Sequence, residues 1–267
     1  MATRVASPST SAEQAGWELR AKWWPQGPAP LWRLQSDAVN CRLLERWLPA
    51  GFDSVLKTDL FDEYVSEGLL PALRPRARQI VGIDIADSIV GPVRRQHPGL
   101  EAIRADLRAL PFEDSRFDAI VSNSTLDHFD DVSGVRSALS EVARVTRPGG
   151  RVIVTLDNPL NPMIAVRNRL PERPARRLRG GFPYETGWTC GPRRLRTLLA
   201  EAGLQVRELT AILHAPRALV AALPLPRSER ERRRAIGALV AAERLQRLPT
   251  RYLSGHFVAA LAIRPWV

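Results

Sequence analysis

Two carboxylates stand where apolar runs of the sequence end, and their chemistry suits a nucleoside. Asp84 closes the run QIVGID, and Asp106 follows the run that ends at Arg104. A carboxylate at a strand end can accept hydrogen bonds from both hydroxyls of a ribose, and its charge makes these bonds strong. The Asp106 carboxylate can accept from an adenine amine, with Leu107 as an apolar wall for the ring. The alternative for Asp84 is a helix cap or a solvated loop acid.

The histidines offer one candidate for proton transfer. His128 lies in the segment TLDHF, after another apolar run, and imidazole titrates near neutral pH. Its alternative role is to shape a pocket at the start of a helix. His214 and His256 lie on or near late strands and are predicted to be structural, whereas His97 falls in a surface turn. The histidines and the two cysteines are too scattered to predict a metal site.

These residues need a scaffold, and the pattern between them predicts a parallel sheet. Short apolar runs alternate with segments of helical spacing, as βαβ units do. Ligands of open parallel sheets bind at the carboxyl ends of the strands, where the strand order reverses. The predicted core strands are 54–56, 79–84, 102–104, 117–122 and 151–156, and a helix is predicted near 62–73 after the first of them. A further helix from about 228 to 248 and a last strand over 254–263 are predicted later in the chain.

Three ordered stretches carry a resemblance to a known family. The runs VGIDIADS, ADLRALPFEDSRFDAIVSNSTLDHF and EVARVTRPGGRVIVT resemble the class I S-adenosylmethionine-dependent methyltransferases, closest to the small-molecule type labelled type 11. The resemblance covers about residues 52–157. It implies that Asp84 holds the cofactor ribose, that Asp106 and Leu107 approach the adenine, and that Asn123 lines the methionine portion.

The resemblance also implies a fold class and a division of the chain. The class is α/β: a Rossmann-like methyltransferase fold with a mostly parallel seven-stranded sheet, helices on both faces and two insertions. Residues 1–35 are predicted to form an N-terminal arm, disordered over residues 1–16 and tryptophan-rich from Trp17 to Trp32, and residues 36–267 the methyltransferase-like domain. The insertions are expected at about residues 158–190 and 215–249.

One departure from the family pattern concerns the turn after the first strand. The family has an acid followed by a glycine-rich turn there, and glycine lets the backbone approach the ligand closely. This chain reads SVLKTDLFDEYVSEG, with Lys57 in place of the acid. In one interpretation Asp59 or Asp62 binds the cofactor ammonium, and Lys57 balances the charge or meets the cofactor carboxylate. In the other the pocket is lost, and the domain is a scaffold or binds another ligand.

The net charge of +11 does not by itself indicate a nucleic-acid partner. Aromatic residues suited to base stacking are sparse in the basic insertions, so nucleic acid is not expected as a partner. Arginines mixed with apolar residues in 162–179 predict peripheral membrane contact, an amphiphilic substrate, an acidic substrate, or a solvated flap. The first residues lack the apolar stretch of a secretory signal, which predicts a cytoplasmic protein.

The sequence therefore predicts an enzyme that transfers a methyl group from S-adenosylmethionine to a small-molecule or lipid-like acceptor. His128 is the candidate base, and the candidate cofactor-binding residues are Asp59, Asp84, Asp106, Leu107 and Asn123. The two alternatives are a non-catalytic methyltransferase-like binding domain and an RNA methyltransferase.

Overall fold

The computed structural model describes residues 8–23, 29–170 and 187–266, and these form an α/β fold around one sheet. Its strands are β1 (Phe52–Lys57), β2 (Ala77–Asp84), β3 (Leu100–Arg104), β4 (Phe117–Asn123), β5 (Thr146–Asp157), β6 (Gln205–Ile212) and β7 (Phe257–Ile263). The helices are α1 (Pro8–Trp23), α2 (Leu31–Trp47), α3 (Phe61–Val65), α4 (Leu70–Leu73), α5 (Asp87–Gln96), α6 (Val132–Val145), α7 (Pro162–Arg169), α8 (Pro192–Glu201), α9 (Arg217–Ala222), α10 (Glu229–Val240) and α11 (Arg251–Ser254).

The seven strands lie in the order β3-β2-β1-β4-β5-β7-β6. Strands β1 to β5 pair in parallel, whereas β7 runs antiparallel to both β5 and β6. Parallel neighbours need crossover connections, and the helices between them supply these. The mostly parallel seven-stranded sheet predicted from the sequence is confirmed.

Buried side chains alternate between the two faces of the sheet, because successive strand residues point in opposite directions. Val55 packs in the layer that contains Leu44 of α2, and Leu56 packs in the layer that contains Leu199 of α8. Both faces are therefore covered by helices. Among the described residues, no helix is long and apolar enough to cross a membrane.

The N-terminal segment departs from the sequence prediction. Disorder was expected through residue 16, yet Pro8–Trp23 forms a helix. Isolated helices of this length are marginal in water and gain their stability from packing. Here Ala21 is buried in the core layer beneath α1, and Trp17 packs against the same layer. Residues 1–7 and 24–28 of the predicted arm lie outside the described residues, and the division into arm and domain stays a prediction.

The segment after β1 also differs from the single helix predicted over 62–73. It breaks into α3 and α4, because Gly68 adopts a left-handed conformation with φ of +53°. The carboxylate of Glu63 turns back into the break and accepts a hydrogen bond from the Leu69 backbone N–H at 2.9 Å. This interruption shapes the loop beside the candidate site.

The insertions are partly helical. Residues 158–190 contain α7, and 171–186, which hold much of the predicted arginine cluster, lie outside the described residues. Residues 215–249 contain α9, which was not predicted, and α10, which falls within the helix predicted over about 228–248. A 3-10 helix at Ala241–Arg247 follows. The last strand begins at Phe257 rather than at the expected Ser254, because residues Arg251–Ser254 form α11.

Candidate active site

The candidate site lies at the edge where the parallel strands end. Strand order reverses between β1 and β4, which places a crevice at their carboxyl ends. The last residues of β1, β2, β4 and β5 are Lys57, Asp84, Asn123 and Asp157. Polar and charged side chains thus stand at every strand end around the crevice.

Lys57 is the centre of a buried cluster of charges. Its side chain is fully buried, and its ammonium lies 2.8 Å from Glu63 Oε2, 3.2 Å from Asp59 Oδ1 and 3.5 Å from Asp62 Oδ2. It also donates a hydrogen bond to the Asp59 carbonyl at 2.8 Å. The lysine that replaces the family's acid therefore holds the loop after β1 together.

Helix α2 contributes a second cation to this cluster. Arg33 is paired with Asp37 at 2.7 Å and also with Asp62. The Asn123 amide donates to Asp62 at 2.9 Å and its oxygen accepts from Thr155 at 2.7 Å. The cluster thus joins α2, the loop after β1 and the ends of β4 and β5.

The buried cluster contains more carboxyl groups than cations. Its carboxyl groups are Asp37, Asp59, Asp62 and Glu63, and its cations are Arg33 and Lys57. Burial raises the pKa of Asp59 to about 6 and that of Glu63 to about 7. Burial opposes the charge of Asp62 as well, but the cations Arg33 and Lys57 lower its pKa. The region disfavours further negative charge and would favour a cation.

Asp84 lies at the predicted strand end, but its oxygens bind backbone groups of the protein. Oδ2 accepts from the Leu60 N–H at 3.1 Å and Oδ1 from the Ala86 N–H at 2.9 Å. Leu60 is fully buried, and a Cβ added to Gly82 would lie 2.3 Å from its Cδ2 atom. Asp84 therefore fastens the loop after β1 onto β2. Because a carboxylate offers about four lone-pair sites, it keeps capacity for further donors.

Asp106 and Leu107 occupy the segment after β3. The Asp106 carboxylate is paired with Arg108, with Oδ2 at 2.8 Å from Nη2. The Arg108 guanidinium lies 5.2 Å from the centre of the Phe129 ring. Leu107 is buried in the core layer with Phe129, so its side chain contributes to the core as well as to any wall of the crevice.

His128 ends a 3-10 helix, Leu126–His128, that follows β4. The Trp17 ring of α1 packs edge-on against the His128 ring, with the ring centres 4.7 Å apart. The centre of the Trp17 ring also lies 5.9 Å from the centre of the Phe61 ring. The Glu18 carboxylate accepts hydrogen bonds from the first backbone N–H groups of α5, at 2.7 and 3.1 Å. Helix α1 therefore lies across the candidate base and the start of α5.

A second charged group stands at the end of β5. Asp157 is paired with Arg167 at 2.6 Å, and its other oxygen lies 3.3 Å from His256 Nε2. Burial lowers the pKa of His256, which keeps the ring neutral near pH 7. Burial and the neighbouring Asp157 raise the pKa of Asp127 to about 7. His256 was predicted to be structural, and its place beside the site was not foreseen.

The structure brings most of the predicted residues to one edge. Asp59 lies close enough to Asp84 to raise its pKa, and Asp59 Oδ2 is 3.4 Å from the Thr125 hydroxyl. Sequence analysis missed several partners in this region. The pair Arg33–Asp37 could have been predicted, because opposite charges four residues apart on a helix lie on the same face. Nothing in the sequence indicated the contacts of α1. The missed residues are Trp17, Glu18, Arg33, Asp37, Glu63, Asp157 and His256.

The buried acids predict an unusual dependence of stability on pH. Burial raises the pKa of Asp84, Asp127 and Glu63 to about 7, above the values of unfolded carboxyl groups. The folded state thus binds more protons near pH 7 than the unfolded state, and the free energy of unfolding should fall as pH rises from 6.5 to 8. Burial lowers the pKa of His214 and His256, so these two residues oppose the trend, and their opposition fades as the pH rises above the ordinary histidine pKa of about 6.5.

Urea unfolding at half-unit pH steps checks this expectation. Asp84→Asn should reduce the slope, because it removes one titrating group. A free energy of unfolding that rises over the same interval would contradict the assignment.

Comparisons with known proteins agree with this architecture. Residues 66–154 match the family model described as "Methyltransferase domain". The chain is 34% identical over 126 residues to the demethylmenaquinone methyltransferase of Beutenbergia cavernae, an overlap of 46% of each chain. It is 36% identical over 131 residues to the malonyl-[acyl-carrier protein] O-methyltransferase of Halorhodospira halophila, covering 47% of this chain and 42% of that protein. The matches span about half the length of these relatives.

A solved structure extends the likeness over nearly the whole chain. Geranyl diphosphate C-methyltransferase from Streptomyces coelicolor A3(2) superposes with a TM-score of 0.60 at 15% identity, covering 97% of this chain and 98% of that one. That structure contains Mg2+, geranyl diphosphate and S-adenosyl-L-homocysteine. The resemblance to class I methyltransferases and the fold class predicted from the sequence are confirmed.

Proposed function

We propose that this chain, whose core has the fold and sequence pattern of the class I methyltransferases, transfers a methyl group from S-adenosylmethionine to a small or lipid-like acceptor. The observation that carries the proposal is the crevice at the reversal of strand order. Asn123 ends β4, one of the two strands that flank the crevice, and Asp84 ends β2, the next strand beyond β1; both residues lie within the matched methyltransferase domain. Ligand sites of open parallel sheets form at this place.

The residues present suit such a cofactor in charge. S-adenosylmethionine carries an ammonium and a sulfonium, and its sulfonium supplies an electrophilic methyl group. The carboxyl excess around Lys57 favours a cation, with Asp59 and Asp62 as the acids nearest the missing glycine turn. Asp84 keeps lone pairs for ribose hydroxyls, and Asn123 holds Asp62 in place. Asp106 is the proposed acceptor for the adenine amine, in competition with Arg108.

For the acceptor, the chain needs a group that positions it and one that removes a proton where the reaction releases one. His128 is proposed as that base, because it ends the 3-10 helix that follows β4, and β4 flanks the crevice. Its contact with Trp17 places α1 next to the acceptor path. A base with this role would make turnover depend on the protonation of one imidazole.

The acceptor class is proposed from both chemistry and likeness. Two curated relatives are named for a demethylmenaquinone and for a malonyl group on a carrier protein. The insertions also contain exposed apolar residues, such as Met163 with 58% and Leu219 with 66% of the residue surface exposed. Such residues suit an amphiphilic acceptor. Peripheral membrane contact and a cytoplasmic location stay predictions, and the RNA methyltransferase alternative rests on net charge alone.

The alternative function is a methyltransferase-like domain without catalysis. One observation favours it: the loop after β1 lies on β2, with Leu60 buried against Gly82 and both Asp84 oxygens bonded to backbone N–H groups. In this alternative the loop fills the place of the methionine portion permanently. The two functions differ in whether the loop makes room for the cofactor.

Titration with S-adenosylhomocysteine separates these functions. We expect binding and a rise in melting temperature, because a ligand specific to the native state stabilises it by about 2.7 kcal/mol at a hundredfold excess over Kd. Isothermal titration and thermal unfolding measure the two effects. Adenosine serves as a control that lacks the methionine portion and should bind more weakly. The absence of any effect at millimolar ligand would favour the non-catalytic alternative.

A further inference from the structure

The second insertion presents an apolar helix to the outside of the protein. Residues 218–226 (ALVAALPLP), which include most of α9, contain no polar or charged side chain. Only Val220 among them is buried, whereas Leu219 is 66% and Leu223 is 49% exposed. A helix at a protein surface ordinarily carries polar side chains on its outer side. Helix α9 therefore has an apolar outer side that no other described residue covers.

The position of α9 is fixed by packing against α2 and α10. Val220 belongs to a small apolar cluster with Leu31 at the start of α2 and Ile236 of α10. The Arg217 guanidinium lies 4.2 Å from the centre of the Trp32 ring. Because these contacts hold the inner side of α9, its leucines at 219 and 223 face away from the fold.

Arginines accompany this apolar helix. Residues 215–254 contain nine arginines and three glutamates, and one of these acids, Glu243, is buried. Helix α10 carries the exposed Arg230, Arg233 and Arg234 in its first two turns, and it shares the cluster around Leu31 with α9. We call residues 217–234 the α9–α10 surface. It combines exposed leucines with a high density of positive charge.

Further exposed apolar side chains lie on segments next to α9. The ring of His214, which precedes α9, has its Nδ1 2.8 Å from the hydroxyl of Ser254 in α11. The amide of Asn161, which caps α7, donates to the carbonyl of the same serine at 3.1 Å. These two helices expose Leu253 by 57% and Met163 by 58%. Large apolar residues are thus exposed on three neighbouring helices, and such surfaces ordinarily bind a partner.

The charge of the surface distinguishes between possible partners. A second copy of the chain would bring the same arginines against it, and the net charge of +11 would add repulsion. An acidic protein would match the arginines but would place charged side chains against the apolar helix. An anionic bilayer matches both features, because its headgroups attract arginine and its acyl boundary accepts leucine side chains.

We propose that the α9–α10 surface binds the protein peripherally to membranes that contain anionic lipids. Leu219 and Leu223 enter the boundary between headgroups and acyl chains, and the arginines of α10 pair with lipid phosphates. The neighbouring helix α7 reaches the candidate site, since its Arg167 is paired with Asp157 at the end of β5. The inference goes beyond the proposed function, because membrane binding needs neither the cofactor nor methyl transfer.

Sedimentation of the full chain with lipid vesicles tests this proposal. At low salt, vesicles of equal parts phosphatidylglycerol and phosphatidylcholine should bind the protein about tenfold or more tightly than vesicles of phosphatidylcholine alone. The double variant Leu219→Gln, Leu223→Gln should weaken this binding about tenfold or more, because two leucine side chains no longer leave water. Leu19→Gln is the control, since Leu19 is 56% exposed on α1, and should change the affinity less than about twofold.

The arginines provide a second variant that leaves the apolar helix intact. Arg230→Gln with Arg234→Gln should also weaken binding to the anionic vesicles about tenfold or more. Arg193→Gln with Arg196→Gln removes the same charge from exposed positions of α8, which covers the other face of the sheet from α2. This control should change the affinity less than about threefold. The unfolding midpoint of each variant in urea shows that it is folded.

No sedimentation with the anionic vesicles at low salt would overturn the proposal, and so would control variants that lose as much binding as the test variants. Self-association, or binding to poly-glutamate, without vesicle binding would assign the surface to a protein partner and overturn it as well. Titration with S-adenosylhomocysteine needs no vesicles, so the proposed function stands or fails separately.

Discussion

Replacing Lys57 by methionine is expected to lower the free energy of unfolding by about 3–5 kcal/mol, the range for breaking a buried ion pair. The side chain is fully buried among Glu63, Asp59 and Asp62. Methionine fills a similar volume but leaves these carboxyl groups without their central cation. Equilibrium unfolding in urea, monitored by circular dichroism, measures the loss.

The sequence offers a matched control for this variant, because Lys57 and Lys22 are its only lysines. Lys22 is exposed on α1, so Lys22→Met should change the free energy of unfolding by less than about 0.5 kcal/mol. Adding Glu63→Gln to Lys57→Met should recover part of the loss, because it removes one uncompensated charge. A Lys57→Met protein as stable as the parent would show that the cluster does not depend on this cation.

Asp84→Asn is expected to weaken binding of S-adenosylhomocysteine by about 1.5–3 kcal/mol, the range for a hydrogen bond to a charged group. The substitution keeps the side-chain shape but removes the charge and one acceptor. The amide oxygen can still accept from one of the two backbone N–H groups now bonded to Asp84. We therefore expect the fold to survive. Isothermal titration of parent and variant gives the difference in affinity.

Asp87→Asn is the control, since Asp87 lies three residues further along, is 63% exposed in its side chain and pairs with Arg104 on the surface. It should change cofactor affinity by less than about 0.5 kcal/mol, as expected for an exposed ion pair. Undiminished affinity in Asp84→Asn, with a lower free energy of unfolding, would mean that Asp84 only fastens the loop after β1.

Local sequence pattern was sufficient for the sheet core. Apolar runs of strand length, which end at Asp84 and at Ser122 just before Asn123, alternate with segments of helical spacing, and each position in such a run has a fixed face. Because parallel strands end at one edge, their last residues could be placed near one another before any contact was known. The prediction of a single helix after β1 was wrong, because the chain breaks at Gly68. The left-handed backbone of Gly68 depends on the packing of Glu63 and Leu69 around it.

The charged cluster shows a further limit of local pattern. The sequence indicated that Lys57 replaces the family's acid and that Asp59 replaces a glycine of the turn, and it offered charge balance as one explanation. It could not indicate that Arg33, which is paired with Asp37, also pairs with Asp62 from a helix earlier in the chain. Long-range ion pairs depend on how α2 packs against the sheet, and no periodicity records that packing.

The sequence by itself determined the class of the fold, the strand ends that carry Asp84 and Asn123, and the family resemblance of the core. These follow from local alternation and from motifs whose spacing is set by one βαβ unit after another. Only the tertiary structure decided that α1 lies over His128, that Leu60 fastens the β1 loop to Asp84, and that α9 and α10 pack together at the start of α2. Each of these contacts joins segments far apart in the chain, so it is determined by the packing of whole elements rather than by the residues adjacent in sequence.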